Sequence, residues 1–357
     1  MGSMDGAADS QSLIEARFAA QRIALGPIIF QCARLLRDFG ILEALRASRT
    51  GLTLEDVCAR VDVSPYGALV LLEGGLAAGM VRAEGKRFLL TKTGACVLRD
   101  ELTRVNMDFV HHGCYQAFHY LEDAIREGKP AGLHRVFGDW ETIYPALSKL
   151  PQAARDSWFA WDHYYSDAAF PQALAIVFER PHRTLLDVGG NTGKWAIQCA
   201  RFSPAVAVTI LDLPGQAAVA AHNVAALGLQ ERIAIRSCDL LDHSQPLPAG
   251  FDAIWMSQFL VCFAEADVRR LLERAAAALG PDGRLYILDT FWDRQDHEIS
   301  TFCLQAFSLY FACLANGCSR MYKASDIAAM VEAAGMTVER HTGTLGICSS
   351  LMICRRA

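Results

Sequence analysis

Two carboxylates and a glycine-rich turn are the residues of this chain whose types and spacing best suit chemistry. Thr184 to Val188 is an apolar run with Asp187 inside it; Gly189-Gly190-Asn191-Thr192-Gly193 follows, and Lys194 to Phe202 has helical character. Twenty-five residues after Asp187, a second apolar run from Val206 to Leu211 ends in Asp212. Strand, glycine turn, helix and second strand make a unit that cradles nucleoside-bearing ligands. Its glycines let the backbone turn sharply and approach the ligand, and an acid ending the second strand accepts hydrogen bonds from ribose hydroxyls.

Spacing sorts the possible ligands. A phosphate-binding P-loop needs four residues between its glycines and then Lys-Ser or Lys-Thr. Here three residues separate Gly189 from Gly193, and Trp195 follows Lys194. A dinucleotide turn needs G-x-G-x-x-G to seat a pyrophosphate on the helix N-terminus. This turn is G-G-x-x-G, with Asp187 two positions before the first glycine. An acid there repels a pyrophosphate and suits a cationic group, such as the amino group of S-adenosyl-L-methionine.

The surrounding pattern supplies the elements that position these groups. Helix Pro214 to Leu227, strand Ile233 to Arg236, strand Phe251 to Met256, helix Ala264 to Leu279, a turn at Pro281-Asp282-Gly283 and strand Arg284 to Asp289 follow in order. Helix Ala324 to Ala334 and strands at 336–341 and 347–354 complete the chain. Such alternation predicts an α/β fold with a mainly parallel sheet, its ligands at the carboxyl ends of the strands. Upstream, residues 12–48 read as helical; Thr53-Leu54-Glu55-Asp56 and Ser64-Pro65 begin two further helices, and Met80 to Leu90 reads as a hairpin. Helix, helix and hairpin are the winged-helix order. The second helix, Ser64 to Ala78, has no Arg or Lys and one acid, Glu73. A helix reading a DNA groove needs basic or amide side chains. This one predicts burial against a partner chain, and no nucleic-acid partner is expected.

The chain has 357 residues, a formal charge of −5 and 52% apolar residues. That length accommodates two domains, the acidic balance offers no field for nucleic acid, and the apolar content favours an oligomer. No apolar run is read as a membrane span and no signal segment is read at the start, so no membrane partner and a cytoplasmic location are expected. The 12 cysteines contain no C-x-x-C pair, and the neighbours of the closest pairs, Cys313/Cys318 and Cys348/Cys354, lack histidine at zinc-finger spacing, so reduced core thiols and no metal are expected. The expected segments are 1–11 disordered or tag-like, 12–105 winged-helix dimerisation, 106–180 a helical linker and substrate wall, and 181–357 the α/β domain.

Together these features resemble the class I methyltransferases of the small-molecule O-methyltransferase family. That family joins an N-terminal winged-helix dimerisation domain to a C-terminal Rossmann-like domain. The resemblance implies a homodimer that uses S-adenosyl-L-methionine, releases S-adenosyl-L-homocysteine and methylates a hydroxyl oxygen of a small aromatic or polyketide-like metabolite. It places Asp187, Gly189, Gly190 and Gly193 at the methionine end of the cofactor, Asp212 at the ribose and Leu213 along the adenine. Cys238-Asp239-Leu240 matches a Gly-Asp-hydrophobic segment, with Asp239 at the adenine amino group; Ser257 completes the cofactor set. Alternatives are methylation of an aromatic ring carbon and a SAM-binding scaffold without catalysis.

The pattern departs from the family after Met256. Many members carry Leu-His-Asp-Trp there, with the histidine as general base. This chain reads Ser257-Gln258-Phe259-Leu260-Val261-Cys262-Phe263, resembling a bacterial branch with Ser-Gln-Phe-Leu-x-Cys-Phe. Val261 stands at the histidine position and cannot take a proton. Methyl transfer from a sulfonium is an in-line displacement, which alignment alone can promote strongly, so the reaction survives that loss. Candidate bases from elsewhere are His163 and Asp289. Candidate acceptor-binding residues are His111, His112, Trp161, Tyr164, Phe259, Tyr310 and Asn316.

Overall fold

Side-chain caps start several of the helices. Thr53 accepts from Asp56 N and Ser64 from Gly67 N, each filling a donor that the first turn leaves unpaired. The structure is a computed structural model that describes residues 11–357, in two compact units that divide between Met107 and Asp108. The disorder expected for the first residues lies outside the described residues, apart from Gln11.

In the first unit the helical stretch predicted over 12–48 is three helices, Leu13–Ala24, Gly26–Asp38 and Ile41–Arg46. Pro27 opens the second, and Gly40 adopts a left-handed φ of 77° before the third. Helices Leu54–Cys58 and Pro65–Ala77 follow, then a hairpin of β1 (Val81–Glu84) and β2 (Arg87–Leu90). Leu36, Ile41, Leu42, Val57 and Leu72 form a fully buried core. Helix Leu13–Ala24 contributes nothing to it. Leu13 is 68% exposed, Ile14 72% and Ile23 81%.

The second unit is built on a seven-stranded sheet. Its strands are β3 (Thr184–Val188), β4 (Ala207–Asp212), β5 (Ile233–Ser237), β6 (Phe251–Ser257), β7 (Leu279–Asp289), β8 (Met336–His341) and β9 (Ser350–Arg356). Their spatial order is β5-β4-β3-β6-β7-β9-β8; the first five are parallel, and β9 pairs antiparallel with both β7 and β8. The predicted turn at 281–283 lies within β7, whose register against β6 jumps between Leu279 and Arg284. Gly283 permits the bulge, since a Cβ there would come within 2.8 Å of Phe251 O. Two apolar clusters cover the two faces of the sheet; one contains Trp195, Trp255 and Tyr286, the other Ile254, Leu271 and Leu285. The chain order reverses between β3 and β6. Such a switch point opens a crevice beyond the carboxyl ends of the strands.

One helical run corrects the reading that nothing matches a membrane span. Glu298–Ala315 is long and apolar enough by length and composition to cross a membrane. Leu304, Phe307, Tyr310 and Phe311 from this run are buried in the second unit and line its cavity.

Candidate active site

The crevice at the switch point is a cavity of about 360 Å³. Its polar half begins at the end of β3. Gly189 has φ 74° and a Cβ there would lie 2.4 Å from the Phe259 ring; Gly190 packs so closely on Asp187 that a Cβ would meet its carboxylate at 2.8 Å. Both glycines are therefore required by close approach, and Gly189 by its left-handed backbone as well. Gly193 does not line the cavity. It shapes the turn instead, with φ 80° and its N–H donated to Gly190 O at 2.8 Å.

Asp212, at the end of β4, organises the opposite side of the turn. Its Oδ2 accepts from Asn191 N and its Oδ1 from Leu213 N, both at 2.7 Å. A carboxylate has about four acceptor positions, so two remain for the hydroxyls of a ribose. Burial raises the Asp212 pKa, and these two N–H groups pull against that rise. Asp187 is more extreme: it is 2% exposed, and its Oδ2 is buried with no hydrogen-bond partner. Burial, then the charge of Asp212, pushes its pKa to about 8. Ser257 Oγ and Gln258 Nε2 are likewise buried and unpaired. Unmet polar atoms at this density call for a polar ligand, because each costs about 1–3 kcal/mol when left alone.

The other half of the cavity is aromatic. Trp161 stacks on Phe109 at 4.5 Å and meets Phe307 and Tyr310 edge-on at 4.9 and 5.5 Å. Trp158 Nε1 donates to Tyr310 Oη at 2.7 Å. Phe259 packs against Phe263 and the glycine turn. A flat apolar molecule fits such walls.

Comparison with known proteins agrees with this geometry. A family model described as a Dimerisation2-like domain matches residues 17–88, and one described as an O-methyltransferase domain matches residues 118–337. The chain belongs to the O-methyltransferase family. It is 33% identical, over 72% of each chain, to 3-hydroxy-5-methyl-1-naphthoate 3-O-methyltransferase of Streptomyces sahachiroi. It is 26% identical to L-tyrosine C(3)-methyltransferase of Streptomyces lavendulae, over 82% of this chain and 79% of that one. The apo crystal structure of the S-adenosylmethionine-dependent methyltransferase SibL superposes with a TM-score of 0.73 at 25% identity, covering 95% of this chain and 98% of that one. The protein is thus a methyltransferase whose cofactor is S-adenosylmethionine. The residues present fit that cofactor: a lone buried carboxylate oxygen on Asp187 matches an ammonium group, and Asp212 keeps acceptor positions for hydroxyls.

The remaining sequence candidates divide by where the O-methyltransferase fold puts them. Leu213, Asp239, Leu240, Ser257, Phe259, Trp161, Tyr310, Asn316, Val261 and His163 line the cavity. Asp289, His111, His112 and Tyr164 are not on its lining. Asp289 is 4% exposed and accepts from the backbone N–H groups of Thr290 and Val261. Burial raises its pKa to about 7, with those two bonds opposing. It therefore holds the segment that carries Val261. His111 and His112 pack edge-on against each other at 4.7 Å, and Tyr164 against Tyr165 at 5.6 Å.

Asn316 lines the cavity with its amide already committed. Its Nδ2 donates to Cys262 O at 2.6 Å and Ser319 Oγ at 2.8 Å; its Oδ1 accepts from Cys318 N and Ser319 N, both at 3.0 Å. It ties two walls together, which is a different task from holding an acceptor. His163 is engaged as well, its Nδ1 3.5 Å from Asp167 Oδ1, while Lys194 Nζ lies 2.6 Å from Asp167 Oδ2. Burial pushes Asp167 up, but the bonds from His163 and Lys194 outweigh it and hold its carboxyl near 2.

Asp162, Asp167, Lys194 and Gln258 line the cavity and were absent from the sequence candidates. Asp162 and Asp167 had a readable signal as acids within an aromatic helical stretch. Gln258 had none: its left-handed φ of 46° appears only once β6 ends.

Proposed function

We propose that the protein transfers the methyl group of S-adenosylmethionine to a hydroxyl oxygen of a small aromatic or polyketide-like acceptor. One observation carries this reading: a single cavity joins the Asp187–Asp212 turn to the Trp161–Phe307–Tyr310 walls. Bound S-adenosylmethionine supplies a methyl group already activated on a sulfonium. Asp187 would hold its ammonium group, Asp212 the ribose, and Leu213, Asp239 and Leu240 the adenine side. The aromatic walls would orient the acceptor, and alignment of this kind contributes up to about 7–11 kcal/mol in well-oriented reactions. The relative acting on a hydroxynaphthoate supports the acceptor class.

The test is incubation with S-adenosylmethionine and a panel of hydroxynaphthoates and phenols, with products assigned by mass spectrometry and NMR. O-methylated product is expected; cofactor binding without any methylated product would reject the reading. Ring-carbon methylation is the second reading. Val261 at the usual histidine position and the relative that methylates carbon 3 of tyrosine favour it, and the same NMR assignment separates the two.

The first unit would pair two copies of the chain. Its matched Dimerisation2-like segment and the uncovered Leu13, Ile14 and Ile23 support a homodimer. Sedimentation at a range of concentrations tests the pairing; a monomer throughout would reject it.

A further inference from the structure

With valine at position 261, a protein group that receives the acceptor's proton would come from another element; of the acids lining the cavity, Asp239 is assigned to the adenine side, and Glu141 and Asp267 lie apart from the aromatic walls in sequence. Asp289 lies behind the Val261 backbone, both Asp212 oxygens are tied to the turn, and His163 and Lys194 are paired through Asp167. Asp187 sits against Gly190 at the cofactor turn. Asp162 is placed differently. It stands on helix Gln152–Ser166 next to Trp161 and keeps accessible surface where it lines the cavity. Asn191 Nδ2 donates to Asp162 Oδ2 at a long 3.5 Å.

Its place on the helix puts it beside the acceptor walls. It directly follows Trp161, whose ring meets Tyr310 edge-on at 5.5 Å, and Tyr144, Cys262 and Tyr310 line the same cavity. Tyr310 belongs to the aromatic walls, and Cys262 directly follows Val261. Asp162 therefore joins the cofactor turn, through Asn191, to the acceptor walls, through its neighbour Trp161.

We propose that Asp162 is the catalytic base, its carboxylate accepting the proton of the acceptor hydroxyl as the methyl group is transferred. The hydroxyl proton passes to a carboxylate oxygen of Asp162 and the hydroxyl oxygen's lone pair forms the new bond to the methyl carbon. The carbon–sulfur bonding pair returns to sulfur, leaving neutral S-adenosylhomocysteine, and the proton then leaves Asp162 for solvent. Burial raises the Asp162 pKa to about 6, with His163 and Lys194 lowering it and Asp167 raising it. A carboxylate titrating there is still ionised at neutral pH and is a stronger base than an ordinary aspartate. The assignment rests on the hydroxyl-acceptor reading above.

The experiment compares wild type with Asp162→Asn and Asp162→Glu on two acceptors. Phenol is protonated at pH 8, whereas 4-nitrophenol is largely ionised there and needs no base. Asp162→Asn should lower kcat for phenol by about 10²–10⁴-fold. It should lower kcat for 4-nitrophenol by less than about 10-fold, since only positioning is touched. Asp162→Glu should restore part of the phenol rate. Binding supplies a readout without turnover: with S-adenosylhomocysteine present, Asp162→Asn should bind 4-nitrophenolate more tightly than wild type does, because a facing negative charge is gone. Unchanged rates, equal losses on both acceptors, or weaker nitrophenolate binding would overturn the proposal. A wild type that methylates neither acceptor, nor any member of the broader panel, would remove the acceptor reading and this assignment with it.

Discussion

The two halves of the cavity treat buried polar atoms in opposite ways. At the cofactor turn they are left open: Asp187 Oδ2 and Ser257 Oγ have no protein partner, and Asp212 keeps unused acceptor positions. At the acceptor walls they are mostly spent within the protein. Asn316 uses its whole amide on Cys262, Cys318 and Ser319, and Tyr310 takes the Trp158 N–H; Trp161 Nε1 is an open donor there. Open polar atoms specify a ligand by hydrogen bonds and charge. Closed ones leave selection to shape and aromatic contact. The cofactor half is thus chemically exacting, and the acceptor half tolerates substitution of one flat apolar molecule by another.

The contrast breaks most readily at Asp212. Asp212→Ala removes the ribose acceptors and frees the N–H groups of Asn191 and Leu213, so the Kd for S-adenosylmethionine should rise by at least about 100-fold. Calorimetric titration measures it, and an unchanged Kd would place the ribose elsewhere.

Asp187→Asn sharpens the contrast by separating affinity from stability. Affinity should fall by roughly 10- to 100-fold, because an amide cannot pair with an ammonium as a carboxylate does. The cofactor-free protein should instead gain stability at pH 8. Asp187 has a folded pKa of about 8, well above its unfolded value near 4, so the folded state binds the extra proton. Its contribution is complete below about pH 4 and is lost as pH rises through about 8. Asparagine has no charge to bury, so this loss disappears. Thermal melts between pH 5 and 9 should be flatter for the variant; parallel curves would contradict the burial argument.

Tyr310→Phe probes the closed half. It strands the Trp158 N–H at a cost of about 1–3 kcal/mol, which lowers Tm by several degrees. Cofactor Kd should stay within about two-fold, and a large change in it would show that the halves are coupled. The smallest effect should come from His163→Ala. His163 and Asp167 are partly exposed, and Lys194 keeps Asp167 paired, so a rate change of about three-fold or less is expected. A loss comparable to that of Asp162→Asn would make His163 the base.

The open half was the more legible in sequence. Asp187, the glycines and Asp212 are fixed by spacing within one strand–turn–helix unit, so a local pattern suffices to find them. Asp162 and Lys194 come from segments tens of residues apart and become neighbours through packing. Asp289 shows the limit of position along a strand: it ends β7 at the ligand edge, yet its carboxylate turns to the Val261 backbone. Asn316 was found as a lining residue, while the bonds that commit it depend on the loop around Cys318 and Ser319. The strands were read closely, because buried parallel strands are continuous apolar runs; the bulge in β7 was hidden by a Pro-Asp-Gly turn signal.

Trp195 and Trp255 stack at 3.8 Å with an angle of 11°, and both line the cavity beside the cofactor turn. Two indoles in such contact act as an electronically coupled pair. Its ultraviolet emission would respond to a cation or a purine arriving at Asp187 and Asp212, giving the protein a label-free optical record of cofactor entry and departure.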